Sequence, residues 1–248
     1  MSIVVTRDAS VMEIALDRPQ KKNALTADMY AALAKALREA DADDSVRAVL
    51  FHGNGGSFCA GNDLEDFAAR PPVEQDAPVF AFLETAARAV KPYVAAVTGS
   101  AVGVGTTLLL HCELVYAAED ARFALPFTRL GLVPEFGSSY LLPLTAGYQR
   151  AAELLLLAEP FDARTAHEAG FVTRVVPAAN VLDTARDAAR KLAALPPKSV
   201  QRTKELMRKP HAGAVRSQMK AEGDYFRPML FEPAAAAALA AFLARRKS

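Results

Sequence analysis

Tryptophan is missing from this chain, and cysteine occurs only twice, at Cys59 and Cys112. Two cysteines build neither a disulfide framework nor a four-cysteine zinc site. Histidine is also scarce: His52, His111, His167 and His211 are scattered and show no HExxH spacing. Neither sign of charge dominates. Lys plus Arg is 29 and Asp plus Glu is 28, a formal net charge of +1. That balance argues against nucleic acid as a partner. The alanine-rich stretch from Ala234 to Ala244 is too short and too broken to span a bilayer, so no membrane association is expected. The opening MSIVVTRDAS lacks a basic segment followed by an apolar run and is not expected to act as a signal peptide. The closing Arg-Arg-Lys-Ser is neither a peroxisomal nor a retention address. None of Asn23, Asn54, Asn62 and Asn180 lies in a glycosylation sequon. A reducing, cytoplasmic setting is expected.

What is present points to a folded α/β protein. Over 248 residues, 52% are hydrophobic and 23% charged, which excludes a disordered chain. Alanine accounts for 51 of them and favours helix. Runs rich in β-branched residues at Ile3–Thr6 and Val11–Leu16, around a turn at Asp8-Ala9-Ser10, predict a hairpin. Thr26 is placed to cap a helix that carries Leu33, Leu37 and Ala40 on one face. Val46 to Phe51 is an apolar run of the kind found in a strand buried on both faces. The pattern repeats with a helix over about 77–90, a strand over 93–97 and a helical run over about 103–111. Short strands follow at 114–117 and 122–124. Strand signals end after Val176, and Pro196-Pro197, Pro210, Pro228 and Pro233 punctuate a series of helices. The expected division is an α/β core over 1–195 and a helical region over 196–248.

Three segments could carry chemistry. Ser57-Phe58-Cys59-Ala60-Gly61-Asn62-Asp63-Leu64 is a small-residue loop that ends at a helix start, where backbone N–H groups are free to meet a ligand. Either Asn62 or Asp63 is the expected cap, and the bland reading is a close-packed helix start. Gly99-Ser100-Ala101-Val102-Gly103-Val104-Gly105 is a glycine-spaced turn between strand and helix. It is not a dinucleotide fingerprint, because position 108 is Leu, and it has no P-loop lysine. Leu130 to Ser139 places one carboxylate, Glu135, among apolar neighbours. If buried, Glu135 is a base with a raised pKa; otherwise it is an exposed residue of a proline turn. No G-x-S-x-G elbow occurs, and Cys59, without a neighbouring base, reads as a packed thiol.

Together these segments resemble the crotonase family, the enoyl-CoA hydratase/isomerase superfamily. The resemblance runs through Arg18-Pro19-Gln20-Lys21-Lys22-Asn23-Ala24-Leu25, Phe58 to Leu64, Ala96 to Gly103 and Leu130 to Glu135, in that order. It implies a spiral of ββα units with a helical C-terminal region that mediates trimers, which pair into hexamers in many members. It implies an acyl-CoA substrate, with CoA counted as part of the substrate and no separate cofactor or metal. It also implies an oxyanion hole from the backbone N–H groups of Asn62 and Val104. CoA would lie against the backbone near Ala24 and Ala60, beside Asp63 and Leu64, with Lys21 or Lys22 near its phosphates. For those lysines a solvated basic turn is the competing reading. The positions at which hydratases of this family carry their two carboxylates are Thr107 and Phe127 here. Glu135 matches the single catalytic Glu of the Δ3,Δ2-enoyl-CoA isomerases of the peroxisomal type, although Phe136 stands between it and Gly137. The implied activity is therefore migration of a double bond from C3 to C2, with enoyl-CoA hydration and a non-catalytic CoA-binding role as alternatives.

Overall fold

The computed structural model describes residues 2–74 and 76–245. Its first unit is the expected hairpin, β1 (Ile3–Asp8) and β2 (Val11–Leu16). Ala9 turns between them with a φ of 51°. β2 is buried along its whole length because it is paired on both edges, antiparallel to β1 and parallel to β3 (Ala48–Gly53). Between β2 and β3, Thr26 caps α1 (Ala27–Ala42) by accepting the Met29 N–H. Tyr30, Leu33, Leu37 and Ala40 form its buried face. After β3 come α2 (Leu64–Ala69) and α3 (Pro78–Arg88), and α3 packs against α1.

The chain then winds through repeated strand–strand–helix turns. β4 (Tyr93–Val97) enters the main sheet, and β5 (Ser100–Val102) leaves for a second sheet before α4 (Val104–Thr107). β6 (Leu114–Ala118) and β7 (Arg122–Ala124) repeat the move before α5 (Ser138–Ala146). After α6 (Tyr148–Ala152), β8 (Phe161–Asp162) joins the second sheet. α7 (Ala163–Glu168) then leads to β9 (Arg174–Val176), the last strand of the main sheet. The main sheet runs β1-β2-β3-β4-β6-β9 and is parallel beyond the hairpin; the second runs β5-β7-β8. This is a spiral of ββα units, as the resemblance implied.

Beyond β9 the described residues are helical: α8 (Val181–Ala194), α9 (Pro197–Met229) and α10 (Pro233–Arg245). α8 lies across β3, β4 and β6. No described helix is long and apolar enough to cross a membrane.

Several expectations are corrected. The run over 103–111 splits into α4 and a 3₁₀ turn, Leu108–His111, after Gly103 adopts a φ of 54°. β3 begins at Ala48 rather than Val46, because the Val46 N–H closes a turn on the Asp43 carbonyl. β5 and β8 are too short to leave a period in the sequence. Pro210 and Pro228 do not end helices; both lie inside α9. Tertiary anchors hold α9 together around Pro210. On one side, the Lys204 ammonium is buried, donates to the Lys91 carbonyl at 2.6 Å, meets Glu113 at 3.3 Å and sits 4.6 Å from the Tyr93 ring centre. Arg208 adds a 2.7 Å pair to Glu113. On the other side, Glu222 and Phe226 are buried.

Candidate active site

Asn23 joins two of the singled-out segments. It is fully buried with a φ of 59°, and its side chain accepts the Arg18 N–H while donating to the carbonyls of Asn54 and Ser57. Arg18 donates to the Ala24 carbonyl and pairs with Asp63. Asp63, not Asn62, is the cap of α2: its Oδ1 accepts the N–H groups of Glu65 and Asp66. Arg18 and these helix donors hold its carboxyl below the ordinary carboxylate range against the opposing effect of burial.

Asn62 lies between two backbone bonds, Leu25 N–H to Gly61 O and Asp63 N–H to Leu25 O, each 2.8 Å. No backbone acceptor among the described residues takes the Asn62 N–H. The Asn62 side chain instead accepts the hydroxyl of Tyr30 from α1. Val104 is the first residue of α4, where an N–H has no acceptor within its own helix. The loops carrying Asn62 and Val104 are locked together by Val102 N–H to Cys59 O at 2.9 Å and by Cys59 N–H to Ser100 O at 2.9 Å. Gly105 permits that contact, since a Cβ there would stand 2.7 Å from the Cys59 carbonyl oxygen. The expected oxyanion donors thus sit on adjoining small-residue loops.

Glu135 is buried, which removes the exposed-turn reading. Its Oε1 has no hydrogen-bond partner. Burial, with a contribution from the Glu222 charge, pushes its pKa up to about 8. The segment that carries it is sharply turned: Phe136 has a φ of 65° and Gly137 a φ of 71°. Phe136 is held there by His111, whose ring stacks on it at 4.0 Å and whose Nε2 lies 2.7 Å from the Phe136 carbonyl. Burial drives His111 down to about 3, so this ring is neutral near pH 7. Tyr30 and Cys59 also face Glu135, and the Cys59 thiol is pushed up to about 12, chiefly by burial. That agrees with a packed thiol rather than a nucleophile.

Two cavities flank this cluster. Glu135, Phe136, Leu83, Met219 and Phe226 help to line a groove of about 1630 Å³ between α3, α5 and α9. Tyr30, Asn62, Leu25 and Phe67 help to line one of about 410 Å³. Phe67 and Phe226, one from each, meet edge-on at 6.3 Å.

The segments that carry the residues expected around CoA, 21–24 and 60–64, meet through backbone and Arg18 contacts. The Ala60 N–H donates to the Lys22 carbonyl at 2.9 Å, and Ala24 and Leu64 are half-buried beside them. Lys22 is exposed, whereas the Lys21 ammonium pairs with Glu65 at 2.9 Å. Thr107 and Phe127 are buried, and the Thr107 hydroxyl faces its own helix's Val104 carbonyl. Tyr30 and Glu222 are functional candidates that sequence reasoning missed. Tyr30 reads as one more apolar residue of the α1 face, and Glu222 lies in a charged helix with no local signal.

The family model for enoyl-CoA hydratase/isomerase matches residues 6–248. A curated relative, 1,2-epoxyphenylacetyl-CoA isomerase of Escherichia coli K12, is 35% identical, with 96% of this chain and 94% of the relative covered. Enoyl-CoA delta isomerase 2 of Rattus norvegicus is 40% identical over 84% of this chain, which spans only 54% of that longer protein. The solved structure of OdaA from Pseudomonas aeruginosa superposes with a TM-score of 0.94 at 45% identity, covering 97% of this chain and 98% of that one.

Proposed function

The chain belongs to the enoyl-CoA hydratase/isomerase family, and from that premise we propose that it moves a double bond from C3 to C2 of an enoyl-CoA thioester. One observation carries the reading: Glu135 is a buried carboxyl at a cavity wall with an unpartnered oxygen and a pKa raised to about 8. Such a group takes up and returns a proton near neutral pH. In the proposed reaction the Glu135 carboxylate removes a proton from C2. The thioester oxygen gains negative charge, which the N–H groups of Asn62 and Val104 stabilise. Glu135 then delivers its proton to C4, and the electrons settle as the C2–C3 double bond. Atoms and charge balance with no added water, metal or redox partner. Thr107 and Phe127 supply no carboxyl for activating water, which favours isomerisation over hydration.

CoA is proposed to lie along Lys21, Lys22, Ala24, Ala60, Asp63 and Leu64, the working form to be a trimer or a pair of trimers, and the setting to be cytoplasmic. A second reading, isomerisation of an aryl-epoxide acyl-CoA, is favoured by the name and near full-length coverage of the Escherichia coli relative. The test offers purified protein 3-hexenoyl-CoA, crotonyl-CoA and 1,2-epoxyphenylacetyl-CoA in parallel. Appearance of the conjugated 2-enoyl thioester from the first, without loss of that chromophore from the second, is expected. Loss of the crotonyl-CoA chromophore would mean that water is activated and would overturn the assignment. Glu135→Gln is expected to lower turnover by about 10²–10⁴-fold.

A further inference from the structure

α5 begins without a cap of its own. Its N-cap position is Gly137, which has no side chain to accept the free N–H groups of the first turn. The acceptor comes from α9, 85 residues away along the chain. The Gly137 N–H donates to Glu222 Oε2 at 2.7 Å, and the Ser139 N–H donates to Oε1 at 3.0 Å. The Ser139 hydroxyl also donates to Oε1, because Gln218 Nε2 donates to Ser139 Oγ at 2.9 Å and turns the hydroxyl proton toward Glu222. Both oxygens of Glu222 accept, the arrangement that suits an ionised carboxylate; burial raises its pKa, and the Ser139 hydroxyl and the Gly137 and Ser139 N–H groups oppose that rise by favouring the charged form.

The clamped residues are the ones that aim Glu135. Phe136 and Gly137 both have positive φ, and a bulky residue persists there only when its surroundings impose it. The Glu135 carbonyl is fixed in the same knot by the Ser138 N–H and hydroxyl. Its Oε1, by contrast, has no partner to orient it. The aim of that carboxyl is thus set by the backbone. The titratable groups that face it are Glu222 from α9, Tyr30 from α1 and Cys59 from the loop after β3, while neutral His111 backs Phe136.

We propose that Glu222 is the positioning residue of Glu135: delivered by the C-terminal helix, it holds the 136–139 backbone that aims the Glu135 carboxyl and confronts that carboxyl with a second negative charge. This rests on Glu135 being the base of the proposed isomerase. It also gives α9 a task in the site beyond covering it.

The experiment compares Glu222→Gln, which keeps the size, removes the charge and retains one of the two acceptor oxygens, with Glu222→Ala, which removes the clamp entirely. Turnover of 3-hexenoyl-CoA is followed against pH. In parallel the Glu135 carboxyl is titrated by carbon-13 NMR, its signal assigned with Glu135→Gln. In Glu222→Gln the NMR midpoint and the acid limb of kcat/KM are both expected to move to lower pH. In Glu222→Ala kcat is expected to fall about 10²-fold with KM little changed, as misaimed catalytic groups lose rate rather than affinity. An unmoved midpoint in Glu222→Gln overturns the proposal, even if Glu222→Ala is slow, since Glu222 is then a helix cap alone. Full turnover by Glu135→Gln would sink the isomerase reading instead; the NMR midpoint still reports whether Glu222 acts on Glu135.

Discussion

The proposed chemistry rests on one carboxyl, that of Glu135. Because burial holds the Glu135 pKa up to about 8, the proposed base is largely protonated at pH 7. The rate of isomerisation, as kcat/KM, is therefore expected to climb with pH through an acid limb near 8, measured with 3-hexenoyl-CoA. The same group makes a stability prediction of definite sign. Its pKa lies above the ordinary 4.5, so the native state holds a proton that the unfolded chain releases between these values. That contribution to stability is complete below about pH 4.5 and is lost as pH rises to about 8. Relative to the wild type, Glu135→Gln should gain stability across that window, by about a few kcal/mol at most. Urea midpoints at pH 5 and pH 9 check this, and an equal gain at both would contradict it.

At the scale of elements, the site depends on how closely the start of α4 approaches the loop after β3. A methyl group on Gly105 would collide with the Cys59 carbonyl and Cβ at 2.7 and 2.8 Å. Gly105→Ala is therefore expected to spread the Asn62 and Val104 N–H groups apart. Loss of one oxyanion donor costs about 10²–10³ in rate. The readout is kcat at unchanged far-ultraviolet circular dichroism; wild-type turnover would show that the two loops are not the hole. α2 makes a second case. Asp63→Ala removes its cap and leaves Arg18 without its carboxylate partner. Losing such a cap costs about 0.5–2 kcal/mol, and urea unfolding would register it.

At the scale of the whole molecule, α9 is unusual for its exposure. Lys204, Glu222 and Phe226 are its only buried residues, while Leu206, Met207 and Tyr225 on it face outward. Large apolar side chains at the surface mark association sites when they gather. Light scattering is accordingly expected to give a mass three or six times 26.5 kDa. A monomer mass would overturn the proposed assembly. The Lys204 anchor also belongs to this scale, because it ties α9 to β4 through Lys91 and Tyr93. Lys204→Met strips the Lys91 carbonyl of its buried donor, at a cost of about 1–3 kcal/mol, which a lowered urea midpoint would reveal.

Local sequence is enough to specify the hairpin, the cap at Thr26, the buried strands and the order of the glycine loops. Those features are local: β-branched runs, a hydroxyl before an apolar face, and glycines where a chain must turn tightly. The resemblance to a family rested on the same short segments, so Asn62, Val104 and Glu135 were legible as candidates. Three-dimensional packing, by contrast, settles that Glu135 is buried rather than exposed, because burial depends on α3 and α9, which are remote in the chain. It alone decided that Pro210 lies within one long helix, since anchors on both sides override a proline's local preference. It alone brought Tyr30 to Asn62 and Glu222 to Ser139. A contact across 83 residues leaves no trace in local composition, because its strength comes from the packing that excludes water around it.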